Sequence, residues 1–90
     1  MKYLMTFWTT TAAFRAEKAM QEHAANFAFE LVAVPLELAE TCHGYGLLLT
    51  LGTAGQMEEA ENILREAGVK WKAEWEMSDP YKKINGGEEA

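Results

Sequence analysis

Residues 69–77 read Val-Lys-Trp-Lys-Ala-Glu-Trp-Glu-Met, with apolar and charged side chains taking strict turns. Successive strand side chains point to opposite faces, so this period gives a strand with one dry face and one wet face. A helix cannot sort these residues into two sides, and a lone strand cannot bury the dry one. The segment therefore demands a sheet covered from one side. It predicts Val69, Trp71, Ala73, Trp75 and Met77 inward, with both tryptophans packed under helices.

The rest of the chain supplies the partners. Residues 2–8, Lys-Tyr-Leu-Met-Thr-Phe-Trp, are aromatic and apolar with no breaker, as a strand requires. Thr9, Thr10 and Thr11 offer hydroxyls that can cap a helix, and Ala12, Ala16, Ala19, Met20 and His23 then recur at helical spacing through residue 25. Residues 27–34 form a second strand, stopped by Pro35, and residues 45–51 form a third. Thr53 and Gln56 have capping-box spacing, a helix follows over 54–67, and Gly68 is the left-handed residue expected past its end.

Strand, helix, strand, strand, helix, strand is the order of an α+β ferredoxin-like βαββαβ sandwich. It predicts a four-stranded antiparallel sheet with two helices on one face. Residues 1–78 form this domain. Beyond Ser78-Asp79-Pro80 the composition turns to Lys, Asn, Gly and Glu, which predicts a flexible tail over 79–90.

Composition narrows the function classes. In 90 residues, a hydrophobic fraction of 49% is enough for one core without covalent staples. The single cysteine rules out an internal disulfide and fits a reducing compartment, and the start shows no signal-peptide pattern, so a cytoplasmic protein is expected. No stretch is long and apolar enough to span a membrane. A net charge of −6 works against binding to a phosphate backbone.

That cysteine, Cys42, sits in a polar run, Ala-Glu-Thr-Cys-His-Gly, between two strands, where a purely packing cysteine is out of place. Its thiolate is the nucleophile, and only a few per cent of an ordinary thiol is ionised near neutral pH. His43 is the adjacent group that can stabilise the anion. Gly44 and Gly46 give the loop freedom to turn His43 towards the sulfur, and Tyr45 stands between them. Trp8, at the end of the first strand beside the threonines, is a further candidate for a pocket or contact. One cysteine and two histidines without paired spacing do not make a zinc site, and no cofactor is expected.

Met1-Lys2-Tyr3-Leu4-Met5-Thr6-Phe7, Ala16-Glu17-Lys18-Ala19-Met20 and Val34-Pro35-Leu36-Glu37-Leu38, with Cys42 four residues on, together resemble the small selenium/sulfur carrier-like domains of bacteria and archaea. In those domains a Pro-x-Glu-(Ile/Leu) segment precedes a Cys, then Gly and a strand; here His43 stands between Cys42 and Gly44. The resemblance implies Cys42 as the residue that accepts sulfur or selenium. It also implies donor and acceptor proteins as partners and a carrier rather than an enzyme.

Two other readings come from the residues. The element order is also that of an RNA-recognition motif, and His43-Gly44-Tyr45-Gly46-Leu47-Leu48 partly echoes its third strand, although stacking needs an aromatic where Leu47 stands. A non-catalytic interaction or regulatory domain is the second. The helix-free face of the sheet takes Val32, Val34 and Leu48, or Leu31, Leu47 and Leu49 under the opposite parity. Either set predicts an apolar patch and a homodimer through that face.

Overall fold

The computed structural model describes residues 1–35, 44–77 and 82–86. Its elements are β1 (Lys2–Thr6), α1 (Thr10–His23), β2 (Ala28–Ala33), β3 (Tyr45–Thr50), α2 (Ala54–Glu66), β4 (Ala73–Glu76) and β5 (Lys82–Gly86). The sheet runs β2-β3-β1-β4-β5 with every neighbouring pair antiparallel. β1 lies between β3 and β4, so each strand-helix-strand half crosses over one intervening strand. This is the α+β ferredoxin-like arrangement that the element order predicts.

The strand register assigns the two faces, because directly opposed residues share one. Met5 faces Leu47 and Leu31, while Tyr3 faces Leu49 and Phe29. Met5, Leu47 and Leu49 join one buried cluster with Ala16, Ala19 and Met20 of α1 and Ala60, Ile63 and Leu64 of α2. The small residues of α1 let its backbone lie close to the sheet. Val32, Val34 and Leu48 therefore take the helix-free side, where each is half-buried. Leu4 is on that side too, opposite Leu48 and Trp75, and is wholly buried.

The β4 segment departs from its sequence pattern. Trp71 packs in the core cluster, as expected, but Trp75 pairs with Leu4 and so lies on the helix-free side, while Glu74 pairs with Met5 and is fully buried. The cause is a register step ahead of the strand. Thr6 pairs with Ala73, yet its carbonyl accepts from the Lys72 amide at 2.6 Å, so two residues stand opposite one. An extra residue of this kind turns every later side chain to the other face.

The sheet has five strands where four are predicted. Residues 82–86, within the stretch that reads as tail, pair with β4. Ile84 is the extra residue where the register shifts between Glu74↔Asn85 and Trp75↔Lys83. A short, lysine-bearing, bulged strand is a common form for a sheet edge, and its low apolar content is why it reads as tail.

The helix ends follow local chemistry. Thr9 caps α1, its hydroxyl accepting from the Ala12 amide at 3.0 Å. The expected capping box of α2 is replaced by another bond: Thr53 makes no side-chain cap bond, and the Gln56 side chain reaches one residue further back, accepting from the Gly52 amide at 2.6 Å. The same Gln56 amide donates to the Asn26 carbonyl, tying the start of α2 to the turn before β2. At the other end Gly68 has φ 72°, its amide bonds the Arg65 carbonyl, and the Val69 amide bonds the Leu64 carbonyl. That pair of bonds is a Schellman ending with a buried Val69 closing it.

Candidate functional site

Topology gathers the described candidates Trp8, Gly44, Tyr45 and Gly46 at one end of the sheet. β1 ends there at Thr6 and α1 starts there. β3 runs antiparallel to β1, so it begins there with Tyr45 and Gly46, and Lys72 leads into β4 at the same end. The Val34 amide donates to the Gly44 carbonyl at 2.9 Å, so the chain leaves β2 and returns to β3 across a closed rung. Cys42 and His43 lie outside the described residues, between those two anchors. Among the described residues no group of three or more His, Cys, Asp or Glu is placed to hold a metal ion.

The remaining candidates have distinct surroundings. Tyr45 is exposed and lies against Phe14 of α1, with ring centroids 5.7 Å apart and a 35° tilt. Phe14 is itself exposed, so the two rings form an aromatic shelf on the helix side of the end. Trp8 is 47% exposed, and the Lys72 ammonium stands over its ring, 5.2 Å from the centroid. Such a contact is worth about 0.5–1 kcal/mol at a surface and fixes a cation at this end.

Gly44 and Gly46 have different surroundings. Only Gly68 has a positive φ among the described glycines, so neither takes a left-handed turn. Gly46 is inside β3, where a Cβ would come within 2.8 Å of the Met5 carbonyl oxygen and 3.0 Å of Leu4 Cδ1. Close packing demands that glycine. Among the described residues nothing lies within 4 Å of a Cβ added at Gly44.

Two described features of this end are positive. The amino terminus of α1 carries the positive pole of the helix, and no acidic residue in its first turn offsets it. Lys72 adds a full charge. Reasoning along the sequence finds no Lys or Arg between residues 19 and 64 and so leaves His43 as the nearby cation. Lys72 escapes because it reaches this end only through the β1–β4 pairing. The strict alternation around it is the signal that marks it as a strand-face residue.

The helix-free face of β1 and β3 carries Leu4, Thr6, Gly46 and Leu48. Base stacking of the RNA-recognition kind needs aromatic rings at such positions. Tyr45 instead meets Phe14 on the helix side, and His23 is exposed on α1, its Nε2 3.8 Å from Glu22 Oε2. No helix among the described residues is long and apolar enough to cross a membrane.

No curated protein and no solved structure matches this chain. A protein-family match covers residues 2–76, all of β1 through β4 and the segment that holds Cys42, and by it the chain belongs to the family described as "Putative Se/S carrier protein-like".

Proposed function

We propose that this protein accepts a sulfur or selenium atom on Cys42 from a donor protein and passes it to an acceptor, without catalysing a reaction on a small-molecule substrate. Membership of a family described as carriers supports this reading, and Cys42 is the sole sulfur nucleophile of the chain. The Cys42 thiolate attacks the outer sulfur of a persulfide on the donor cysteine. The new S–S bond forms on Cys42 as the donor's S–S bond breaks, and the donor thiolate leaves with the electron pair. The product is a persulfide on Cys42, a state that a thiol reverses. A selenium atom bound to the donor cysteine transfers by the same displacement.

The thiolate has to be present at neutral pH for this step. His43 is next to it in sequence, while the α1 amino terminus and Lys72 supply positive charge at this end of the sheet. The exposed Tyr45 and Phe14 rings at this end of the sheet offer a surface on which a donor or acceptor docks. A cytoplasmic location fits a thiol that must stay reduced.

Intact-mass measurement after treatment with a cysteine desulfurase and free cysteine tests the reading. A gain of one sulfur atom is expected, removed by a thiol reductant and missing from Cys42→Ser. Absence of the gain in the parent chain, or its persistence in Cys42→Ser, overturns it.

A further inference from the structure

β2 is an edge strand of the five-stranded sheet, and among the described residues no strand pairs with its outer side. The Val34–Gly44 rung fixes which groups face out. Since Val34 bonds to β3, the even positions of β2 do so as well, and Phe29, Leu31 and Ala33 point their amides and carbonyls away from the sheet. Beyond Ala33 the next outward position is Pro35, which has no amide proton, so the open edge stops there. None of the six residues of β2 is fully buried, although Phe29, Leu31 and Val32 are large and apolar.

Natural sheets guard their edges with lysine, proline, bulges or short strands. The opposite edge follows that rule, for β5 begins Lys82-Lys83 and carries a bulge at Ile84. β2 has none of these within Ala28–Ala33, and its sole charge is Glu30.

We infer that β2 pairs with β2 of a second copy of this chain, antiparallel about a twofold axis through Leu31, joining the two sheets edge to edge. In that register Leu31 faces the second Leu31, and Phe29 and Ala33 face each other's counterparts, so all three outward-pointing residues exchange backbone hydrogen bonds. Glu30 falls opposite Val32. A shift of the axis by one residue to Glu30 keeps the outward groups paired but sets the two carboxylates face to face at the closest cross-strand distance, about 4.5 Å between Cα atoms. Like charges directly opposed destabilise a strand pair, and the opposite shift, to an axis through Val32, sets Phe29 against Pro35, which has no amide to exchange, so the Leu31 register is selected. The interface is isologous and closes at two copies. It differs from a face-to-face dimer, which would use Leu48 and Trp75, and it holds whether or not Cys42 carries sulfur.

Sedimentation velocity of the full chain at micromolar concentrations tests it. The wild-type chain is expected to approach twice the monomer mass as concentration rises. Leu31→Lys sets like charges on the axis, and Ala33→Pro removes an outward amide that β3 does not use; both are expected to sediment as monomers with unchanged far-UV circular dichroism. Leu48→Lys on the helix-free face is expected to leave the dimer intact. Hydrogen exchange on the wild type gives a readout that needs no variant: the Phe29, Leu31 and Ala33 amides exchange more slowly as concentration rises. A wild-type chain that stays monomeric overturns the inference. So does a dimer that survives both edge variants, one lost only in Leu48→Lys, or exchange at those three amides that ignores concentration.

Discussion

Gly46 sits where any side chain must displace something rigid. A Cβ there meets a backbone oxygen, that of Met5, at 2.8 Å, and the central β1–β3 pairing holds that oxygen in place. Overpacking of this kind costs about 1–3 kcal/mol, so Gly46→Ala is expected to lower the urea midpoint by a corresponding amount. Gly44→Ala meets no neighbour among the described residues and is expected to leave the midpoint nearly unchanged; equal effects of the two substitutions would refute this account. The sequence shows two glycines flanking Tyr45 and invites one role for both. What separates them is the neighbouring strand, brought from the other end of the first half of the chain. Lys72 poses the same difficulty in reverse, since its place at the β1 end depends on pairing and on the residue inserted opposite Thr6.

At the scale of elements, the helix starts divide the capping work differently. Thr9 bonds the Ala12 amide, whereas Thr53 makes no cap bond and Gln56 takes over by holding both the Gly52 amide and the Asn26 carbonyl. Removing a working cap costs about 0.5–2 kcal/mol. Thr9→Ala and Gln56→Ala are therefore each expected to lower stability by roughly that amount in urea unfolding, and Thr53→Ala by clearly less. A larger loss from Thr53→Ala than from Gln56→Ala would contradict the assignment. The helices themselves are legible because cap spacing, apolar period and Gly68 all agree along a local stretch. β1, β2 and β3 are legible for similar reasons. The face of β4 is not: alternation from Val69 to Met77 is unbroken in the sequence, while the backbone inserts a step at Lys72 that no side chain announces. Trp75 and Glu74 consequently exchange the sides that the pattern assigns them.

At the scale of the whole molecule, the family match stops at residue 76 and β5 lies beyond it. β1 to β4 with both helices form the ferredoxin-like unit, and the described members of its core cluster come from this unit. β5 is the strand at its edge, beyond the family match. It makes four registered pairs with β4, and all but Ala73↔Gly86 are of residue types for which such a pair is worth about 0.2–1 kcal/mol over an alanine pair. A chain cut after Met77 is accordingly expected to keep its helical circular dichroism and its cooperative unfolding, with stability lower by roughly 1–3 kcal/mol. The cut also uncovers the β4 edge beside Glu74, a fully buried carboxylate that faces Asn85 across the strands. The shortened chain should therefore aggregate more readily than the parent, because β4 becomes an edge without the lysines that begin β5. Loss of the cooperative transition would place β5 inside the folding unit and extend the fold beyond the family's own boundary. An unchanged urea midpoint would mean that the β4–β5 ladder contributes nothing to stability.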